Sequence, residues 1–149
     1  MATAIHQMIQ KAERGELPSA IIKLVSGWVV AGEVQPLQGY CMLLSDPVAR
    51  DFNALTEAQR MQYALDMSRV GDALLATQNA YRINYETWGN STPALHTHIV
   101  PRFMSEPDSL RVQIPRRAYD WESSRAFDLS LDAAWMAVVR EYLTRFQAK

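Results

Sequence analysis

Apolar residues recur at helical spacing in three parts of the chain, which predicts three helices. The first covers residues 2–14 and ends at the break formed by Gly15–Pro18. The second begins after Thr56, which matches a capping box with Gln59. Its apolar face consists of Tyr63, Met67, Val70 and Leu74. The third begins with Ser130 as its N-cap, and its apolar face consists of Leu131, Trp135, Val138, Tyr142 and Phe146.

Short apolar runs between turn residues predict five strands. They cover residues 20–25, 28–32, 40–45, 81–86 and 95–103. Because short connections join the first three, we expect these strands to pair antiparallel. Residues 105–125 have no clear period and are interpreted as mostly irregular chain. The predicted fold class is α+β: an antiparallel sheet covered by the long helix, with helices added at both ends.

Length, net charge and cysteine content limit the classes of protein to which this chain can belong. A length of 149 residues fits one domain, and a net charge of −1 gives no general attraction to nucleic acid. The single cysteine, Cys41, cannot form an internal disulfide and is expected to fill core space in a reducing cytoplasm. The N-terminus lacks the features of a signal peptide, and no segment has the length of a membrane span. We therefore expect a cytoplasmic protein.

Two of the three histidines, His96 and His98, lie two positions apart in the last predicted strand. Since side chains alternate along a strand, both imidazoles project from one face and Thr97 from the other. A neutral imidazole can attack phosphorus, and a second, protonated imidazole can stabilise charge on phosphate oxygens. His-x-His is also a metal-ligand spacing, but zinc needs a third ligand and His6 lies in a separate helix. Two structural histidines without chemistry are a third interpretation.

The loop before this strand carries groups that suit an anion. Gly89 permits a close backbone approach, so N–H groups there can face a phosphate. Asn84, Asn90 and Ser91 add neutral donors. Phosphoryl or nucleotidyl transfer through a histidine intermediate is therefore a coherent chemistry for this pattern.

Four segments resemble, in the same order, motifs of the histidine triad superfamily of nucleotide hydrolases and transferases. Residues 95–102 resemble the signature His-φ-His-φ-His-φ-φ, with φ apolar, often followed by Pro-Arg. Residues 15–19 resemble a Gly-Glu-Ile-Pro-Ala segment, and residues 35–40 resemble a Pro-x-x-(x)-Gly-His turn. Residues 84–93 resemble the Asn-Tyr-Glu-x-x-Gly-Asn-x-x-Pro run of bacterial members.

The resemblance covers about residues 15–103. We therefore expect a single domain, residues 1–149, in which residues 104–149 form a C-terminal extension. It implies a five-stranded antiparallel sheet with a long helix, and a homodimer. The implied substrate is a nucleoside phosphate joined through its α-phosphate to a leaving group. No cofactor or metal site is implied, although magnesium can accompany a polyphosphate substrate.

The resemblance also gives each matching residue a role. His96 matches the nucleophile that becomes a nucleotidyl-imidazole, and His98 matches the histidine that contacts the phosphate. Asn84 and Asn90 match polar positions around the phosphate. Glu33 lies near an acidic position that holds the ribose hydroxyls.

One position departs from the signature, because Ala94 stands where the first triad histidine is found. In the family the backbone carbonyl of that residue orients the nucleophile, and alanine retains the carbonyl. The missing side chain would support the site and assist proton transfer, and a general acid is worth about 10²–10⁴-fold in rate. We therefore expect a nucleotide hydrolase that acts on dinucleoside polyphosphates or nucleoside phosphoramidates. The alternative is a nucleotide-binding sensor or interaction module with weak or no catalysis.

Overall fold

The computed structural model describes residues 1–149 and confirms the predicted α+β architecture. Five strands form one sheet in the order β1-β2-β3-β5-β4, and every neighbouring pair is antiparallel. The strands are β1 (Ala20–Leu24), β2 (Gly27–Ala31), β3 (Cys41–Ser45), β4 (Arg82–Glu86) and β5 (His96–Arg102). All five lie within one or two residues of the ranges expected from the apolar pattern.

Five α-helices accompany the sheet. They are α1 (Ala4–Glu13), α2 (Glu57–Thr77), α3 (Asp108–Arg111), α4 (Pro115–Ala118) and α5 (Leu129–Leu143). At the start of α2 the capping box is complete, because Thr56 and Gln59 each accept a hydrogen bond from the other's backbone N–H. The short helices α3 and α4 interrupt the segment that was expected to be irregular. None of the helices is both long enough and apolar enough to cross a bilayer.

The sheet lies between two helical layers, and each face has its own apolar cluster. The larger cluster joins the sheet to α2 and α5 and includes Tyr63, Val70 and Leu74, as the helical pattern predicted. The smaller cluster joins the opposite face to α1 through Ile5 and Ile9. Full burial of each such side chain stabilises the fold by about 1.5–3 kcal/mol.

The alternation predicted for the last strand is present in β5. His96 and His98 pair with Leu44 and Met42 of β3, which both belong to the α1-side cluster. Thr97 projects to the other face, where it is fully buried and lies 2.9 Å from the Tyr63 hydroxyl of α2. The two imidazoles therefore share the face that α1 only partly covers.

Helix α5 buries a face that only partly matches the predicted one, since Trp135 is buried and Tyr142 and Phe146 pack against the core as expected. The N-cap is Asp128, whose side chain accepts from the backbone N–H of Ser130, so the prediction of Ser130 as N-cap is wrong. The apolar residues expected on the buried face include two that are exposed, namely Leu131 and Val138. The buried apolar residues that the prediction missed are Met136, Val139 and Leu143.

A buried carboxylate explains which face of α5 turns inward. Asp132 is fully buried and accepts hydrogen bonds from the Arg125 guanidinium at 2.8 and 2.9 Å. It also accepts from Trp135 Nε1 at 2.8 Å. Because burying an unpaired carboxylate is costly, these partners fix the rotation of the helix. The two adjacent apolar stripes of α5 could not be distinguished without them.

Arg102, at the end of β5, attaches the C-terminal segment to the sheet. Its side chain is 2% exposed and forms an ion pair with Glu106, with Nη2 to Oε1 at 2.9 Å. The guanidinium also donates to the backbone carbonyls of Leu110, Arg111 and Gln113. This arginine therefore holds the irregular chain after β5 in place rather than facing solvent.

Replacing Arg102 tests this anchoring. We expect Arg102→Met to lower the free energy of unfolding by about 3 kcal/mol, because Glu106 would remain buried without its cation. Arg82 pairs directly with Arg102 in the β4–β5 register but is exposed, so Arg82→Met is a matched control. The control should change stability by no more than about 0.5 kcal/mol. Urea unfolding of both variants measures the difference, and equal effects would contradict the anchoring role.

Candidate functional site

A cavity of about 390 Å³ lies between α1 and the sheet face that carries the two histidines. Residues from four parts of the chain line it, including Met8 of α1, His96 and His98 of β5, and Arg116 and Trp121 after β5. Its volume falls in the range of small-molecule sites. A separate cavity of about 300 Å³ beside the N-terminal half of α2 contains no histidine. The cavity with both imidazoles is therefore the candidate functional site.

The orientation of His96 is set by the backbone two residues earlier. Its Nδ1 lies 2.7 Å from the carbonyl oxygen of Ala94. A carbonyl can only accept, so Nδ1 must carry the proton. In the neutral ring the lone pair is then on Nε2, the nitrogen that a nucleophile needs. The bond expected from the Ala94 carbonyl is present although the side chain at position 94 is only a methyl group.

His98 is oriented by a buried tyrosine. Its Nδ1 lies 2.6 Å from the Tyr40 hydroxyl, and its ring centroid is 5.0 Å from that of His96. The phenol makes no other hydrogen bond, so donation from Tyr40 to Nδ1 satisfies both groups. Nδ1 is then the acceptor, and the proton of His98 is on Nε2. His98 can offer this N–H to an anion without carrying a charge.

The structure favours the neutral form of His98 over the protonated form that was considered from the sequence. Burial, together with the nearby His96 and Arg116, lowers the pKa of His98 to about 4. Burial also raises the pKa of the Tyr40 phenol, so the phenol remains a donor. At neutral pH His98 is therefore an uncharged hydrogen-bond donor rather than a protonated imidazole.

The turn between β2 and β3 places Tyr40 beside His98. Gln35 is buried and donates to the carbonyls of Gly32 and Tyr40, at 3.1 and 2.9 Å, while accepting from the N–H of Gly39. The Tyr40 ring lies against Gly32, where an added Cβ would come within 2.1 Å of the ring. Gly39 has a φ of +98°, a value that favours glycine. Gln35 and the two glycines therefore hold the turn in the conformation that places the Tyr40 ring beside His98.

The loop before β5 lies on the other side of His96. A smaller hollow of about 170 Å³ is lined by Gly89, Ala94 and His96, together with the exposed Trp88. Gly89 has a φ of +87°, so any side chain there would be strained. Asn90 and Ser91 are exposed and line neither hollow. The structure thus brings Gly89 and Ala94 to His96, but not the side chains of these two polar residues.

The other two predicted binding residues, Glu33 and Asn84, lie in different hollows. Glu33 is exposed and lines the large cavity with both histidines. Asn84 does not line it, because its Oδ1 accepts from Arg102 Nη1 at 3.0 Å in a different surface hollow. The anchoring of the C-terminal segment therefore uses a side chain that the resemblance assigned to the surroundings of the phosphate.

Sequence reasoning did not single out Tyr40 or Arg116 as site residues. A signal for Tyr40 was present, because it stands where the resembled turn has histidine after glycine. No signal marked Arg116, which belongs to a short basic patch in a segment without period. The metal alternative gains no third ligand, since no group of three or more metal-ligating side chains exists in the structure. His6 instead bonds Thr3 at the start of α1.

No protein-family model matches the sequence, and no curated protein matches it significantly. Solved structures do match. A histidine triad protein from Bradyrhizobium japonicum is 23% identical over 83% of this chain and 88% of that chain, with a TM-score of 0.69. A histidine triad protein from Marinobacter aquaeolei VT8 is 13% identical over 98% and 99% of the two chains, with a TM-score of 0.74.

A third match is a hypothetical histidine triad nucleotide-binding protein from Sulfolobus tokodaii strain7. It is 13% identical over 93% of this chain and 92% of that chain, with a TM-score of 0.71. At these identities the likeness concerns the fold. The chain has the fold of the histidine triad proteins, as its motifs predicted.

The low pKa of His98 predicts a pH dependence of stability. The unfolded chain binds a proton at this residue below about pH 6.5, whereas the folded chain does so only near pH 4. Stability should therefore fall as the pH decreases from 6.5 towards 4, with His98 contributing about 2 kcal/mol of the loss. His98→Gln cannot be protonated and should lack this part of the loss. Urea unfolding of both proteins from pH 4.5 to 7.5 measures it, and parallel pH profiles would contradict the assignment.

Proposed function

We propose that this chain belongs to the histidine triad superfamily and acts as a nucleotide hydrolase or nucleotidyl transferase. The hydrogen bond between His96 Nδ1 and the Ala94 carbonyl carries this proposal, because it leaves an Nε2 lone pair beside a ligand-sized cavity. The neutral N–H of His98 supplies an adjacent donor for phosphate oxygens. The fold shared with a Sulfolobus protein described as nucleotide-binding supports the substrate class.

The proposed reaction has two displacement steps at the α-phosphorus of a dinucleoside polyphosphate or nucleoside phosphoramidate. Nε2 of His96 first forms a bond to phosphorus, and the bond from phosphorus to the leaving group breaks. His98 stabilises the charge that develops on the phosphate oxygens. Water then attacks phosphorus, the bond to His96 breaks, and a nucleoside monophosphate is released with the imidazole regenerated.

The backbone of the Gly89 loop and the Glu33 carboxylate complete the proposed binding site. Gly89 borders His96, so N–H groups of this loop can approach the transferred phosphate. Glu33 lines the cavity and can accept hydrogen bonds from ribose hydroxyls. Asn84, Asn90 and Ser91 remain predictions from the motif, because their side chains do not line the cavity.

A nucleotide-binding module without turnover is the second candidate, and Ala94 is the observation that favours it. Its side chain is fully buried in the apolar cluster under α1 and provides no acid for the leaving group. Binding in the cavity would be retained, since His98, Tyr40 and Glu33 do not depend on a proton donor at position 94. Catalysis would then be limited by departure of the leaving group.

Replacing the proposed nucleophile distinguishes the two functions. We expect His96→Asn to lower kcat/KM for diadenosine tetraphosphate by roughly 10⁴-fold or more, because no nitrogen lone pair would remain to attack phosphorus. Binding of adenosine monophosphate should persist in the variant. Mass spectrometry of wild-type protein quenched in alkaline denaturant, which preserves the acid-labile bond between phosphorus and imidazole, should detect one adenylyl group on His96. Turnover at equal rates in both proteins would eliminate the mechanism, and nucleotide binding without products would favour the module.

We also propose that the protein forms a homodimer through the edge of β4. The other edge of the sheet is covered, because Arg140 donates to the carbonyls of Ala20 and Ile21 in β1. The N–H of Ala148 adds a hydrogen bond to Lys23 of the same strand. β4 is the terminal strand on the opposite side and has no strand on its outer edge. An uncovered edge is a natural site for pairing with a second chain.

Light scattering during size-exclusion chromatography tests the dimer. We expect a mass of twice the 16.9 kDa of one chain. Hydrogen exchange should then show protection of the β4 backbone that falls on dilution, because pairing at the edge would bury its N–H groups. A mass of one chain at all concentrations would contradict the proposal.

A further inference from the structure

Arg116 is the only lysine or arginine that lines the cavity containing His96 and His98. The other ionisable side chains there, besides the histidines and Tyr40, are the carboxylates Glu33 and Glu122. Since His98 is uncharged at neutral pH, a phosphate ligand would find one permanent positive charge in this cavity. That charge comes from α4 in the C-terminal extension rather than from the sheet. The smaller hollow on the other side of His96 is lined by Arg50, but that arginine is paired with Asp51 at 2.7 Å.

The guanidinium of Arg116 is held by two neighbours. Its central carbon lies 4.2 Å from the centroid of the Trp121 ring, a cation–π distance. Trp121 packs edge-on against Tyr40, with ring centroids 4.8 Å apart, and its Nε1 donates to the carbonyl of Pro115. The indole therefore connects the start of α4 to the tyrosine that orients His98. This packing places the arginine beside the histidine pair.

The second neighbour is Glu86, which forms an ion pair with Arg116 but no hydrogen bond. Arg116 Nε lies 3.4 Å from Glu86 Oε2, an ion pair whose oxygen is buried and has no hydrogen-bond partner. Glu86 pairs directly with His98 in the β4–β5 register. The side chain of Arg116 is 41% exposed, whereas that of Arg102 is buried and donates to several acceptors. Arg116 is thus positioned by a ring and a carboxylate, and it lines the cavity with its hydrogen-bond donors unused.

Position 94 carries no side chain that could protonate a leaving group. An amine that leaves phosphorus must gain a proton, and the Ala94 methyl group cannot supply one. A phosphate leaving group departs as an anion and needs charge stabilisation rather than a proton. A fixed cation beside the reacting centre meets that need, and arginine binds phosphate oxygens with two parallel hydrogen bonds. Two independent features of this chain therefore favour the same class of substrate.

We propose that Arg116 binds the phosphate groups of the leaving group and makes the site selective for nucleoside polyphosphates over substrates whose leaving group is uncharged. This inference rests on the proposed function at His96. In this assignment His98 contacts the transferred α-phosphate, and Arg116 contacts the phosphates beyond it. The C-terminal extension thus determines which leaving groups are accepted, and Arg116 is a specificity-determining residue.

Two substrates that share an adenylyl group but differ in leaving-group charge test this selectivity. We expect Arg116→Ala to lower kcat/KM for diadenosine tetraphosphate by about 10- to 100-fold, the effect of losing charge-assisted hydrogen bonds. The loss for adenosine 5′-phosphoramidate should be far smaller. Arg116→Lys should recover only part of the selectivity, because lysine keeps the charge but loses the planar fork. Equal losses on both substrates, or no loss on either, would overturn the proposal.

Arg117 offers a matched control, because it is the next residue in α4, is exposed and lies outside the cavity lining. Arg117→Ala should behave as wild type on both substrates. Thermal unfolding of each variant checks that α4 and Trp121 remain in place. A large effect of Arg117→Ala on diadenosine tetraphosphate would indicate a general field effect and would also overturn the assignment.

A binding measurement separates failure of this inference from failure of the proposed function. Calorimetry should show that adenosine triphosphate binds wild-type protein more tightly than adenosine monophosphate, and that Arg116→Ala removes this difference. If wild-type protein converts neither substrate, the hydrolase proposal fails while the binding difference still tests Arg116. If turnover is present but the binding difference persists in Arg116→Ala, the specificity role is wrong and the hydrolase proposal stands.

Discussion

The hydrogen bond from His96 Nδ1 to the Ala94 carbonyl is the interaction on which the candidate site depends. It connects the ring to the backbone of its own strand, so its geometry requires no side chain at position 94. This explains how the signature can lose its first histidine and still hold the next imidazole in one tautomer. The tautomer, in turn, decides which nitrogen is available for attack.

The residues around this bond belong to parts of the chain that are far apart in sequence. Tyr40 reaches His98 because the Gln35 turn folds back against the sheet, and Arg116 reaches the cavity because Arg102 anchors the chain after β5. Arg102 and Arg116 illustrate two uses of the same side chain. The first is buried and surrounded by acceptors, whereas the second is partly exposed and keeps donors free. Only the second can meet a ligand.

Much of the fold follows from local patterns. The capping box of Thr56 and Gln59 sets the start of α2, and the alternation along β5 sets the faces of His96 and Thr97, since both depend on neighbours a few residues away. The buried face of α5 was predicted only in part, because its orientation depends on residues outside the helix. Its two apolar stripes have similar composition, and the choice between them rests on Asp132 finding Arg125 and Trp135 when the helix packs.

The sequence alone determined which residue types carry the chemistry and how they are spaced. Two imidazoles lie on one face of a strand, a loop with a glycine precedes that strand, and alanine occupies the position of the first histidine. The tertiary structure decided the partners of these groups. Burial near His96 and Arg116 keeps His98 neutral, a hydrogen bond from Arg102 holds Asn84 away from the cavity, and a stacked indole brings Arg116 into it. Protonation states and local charge depend on distances between segments, and packing sets those distances.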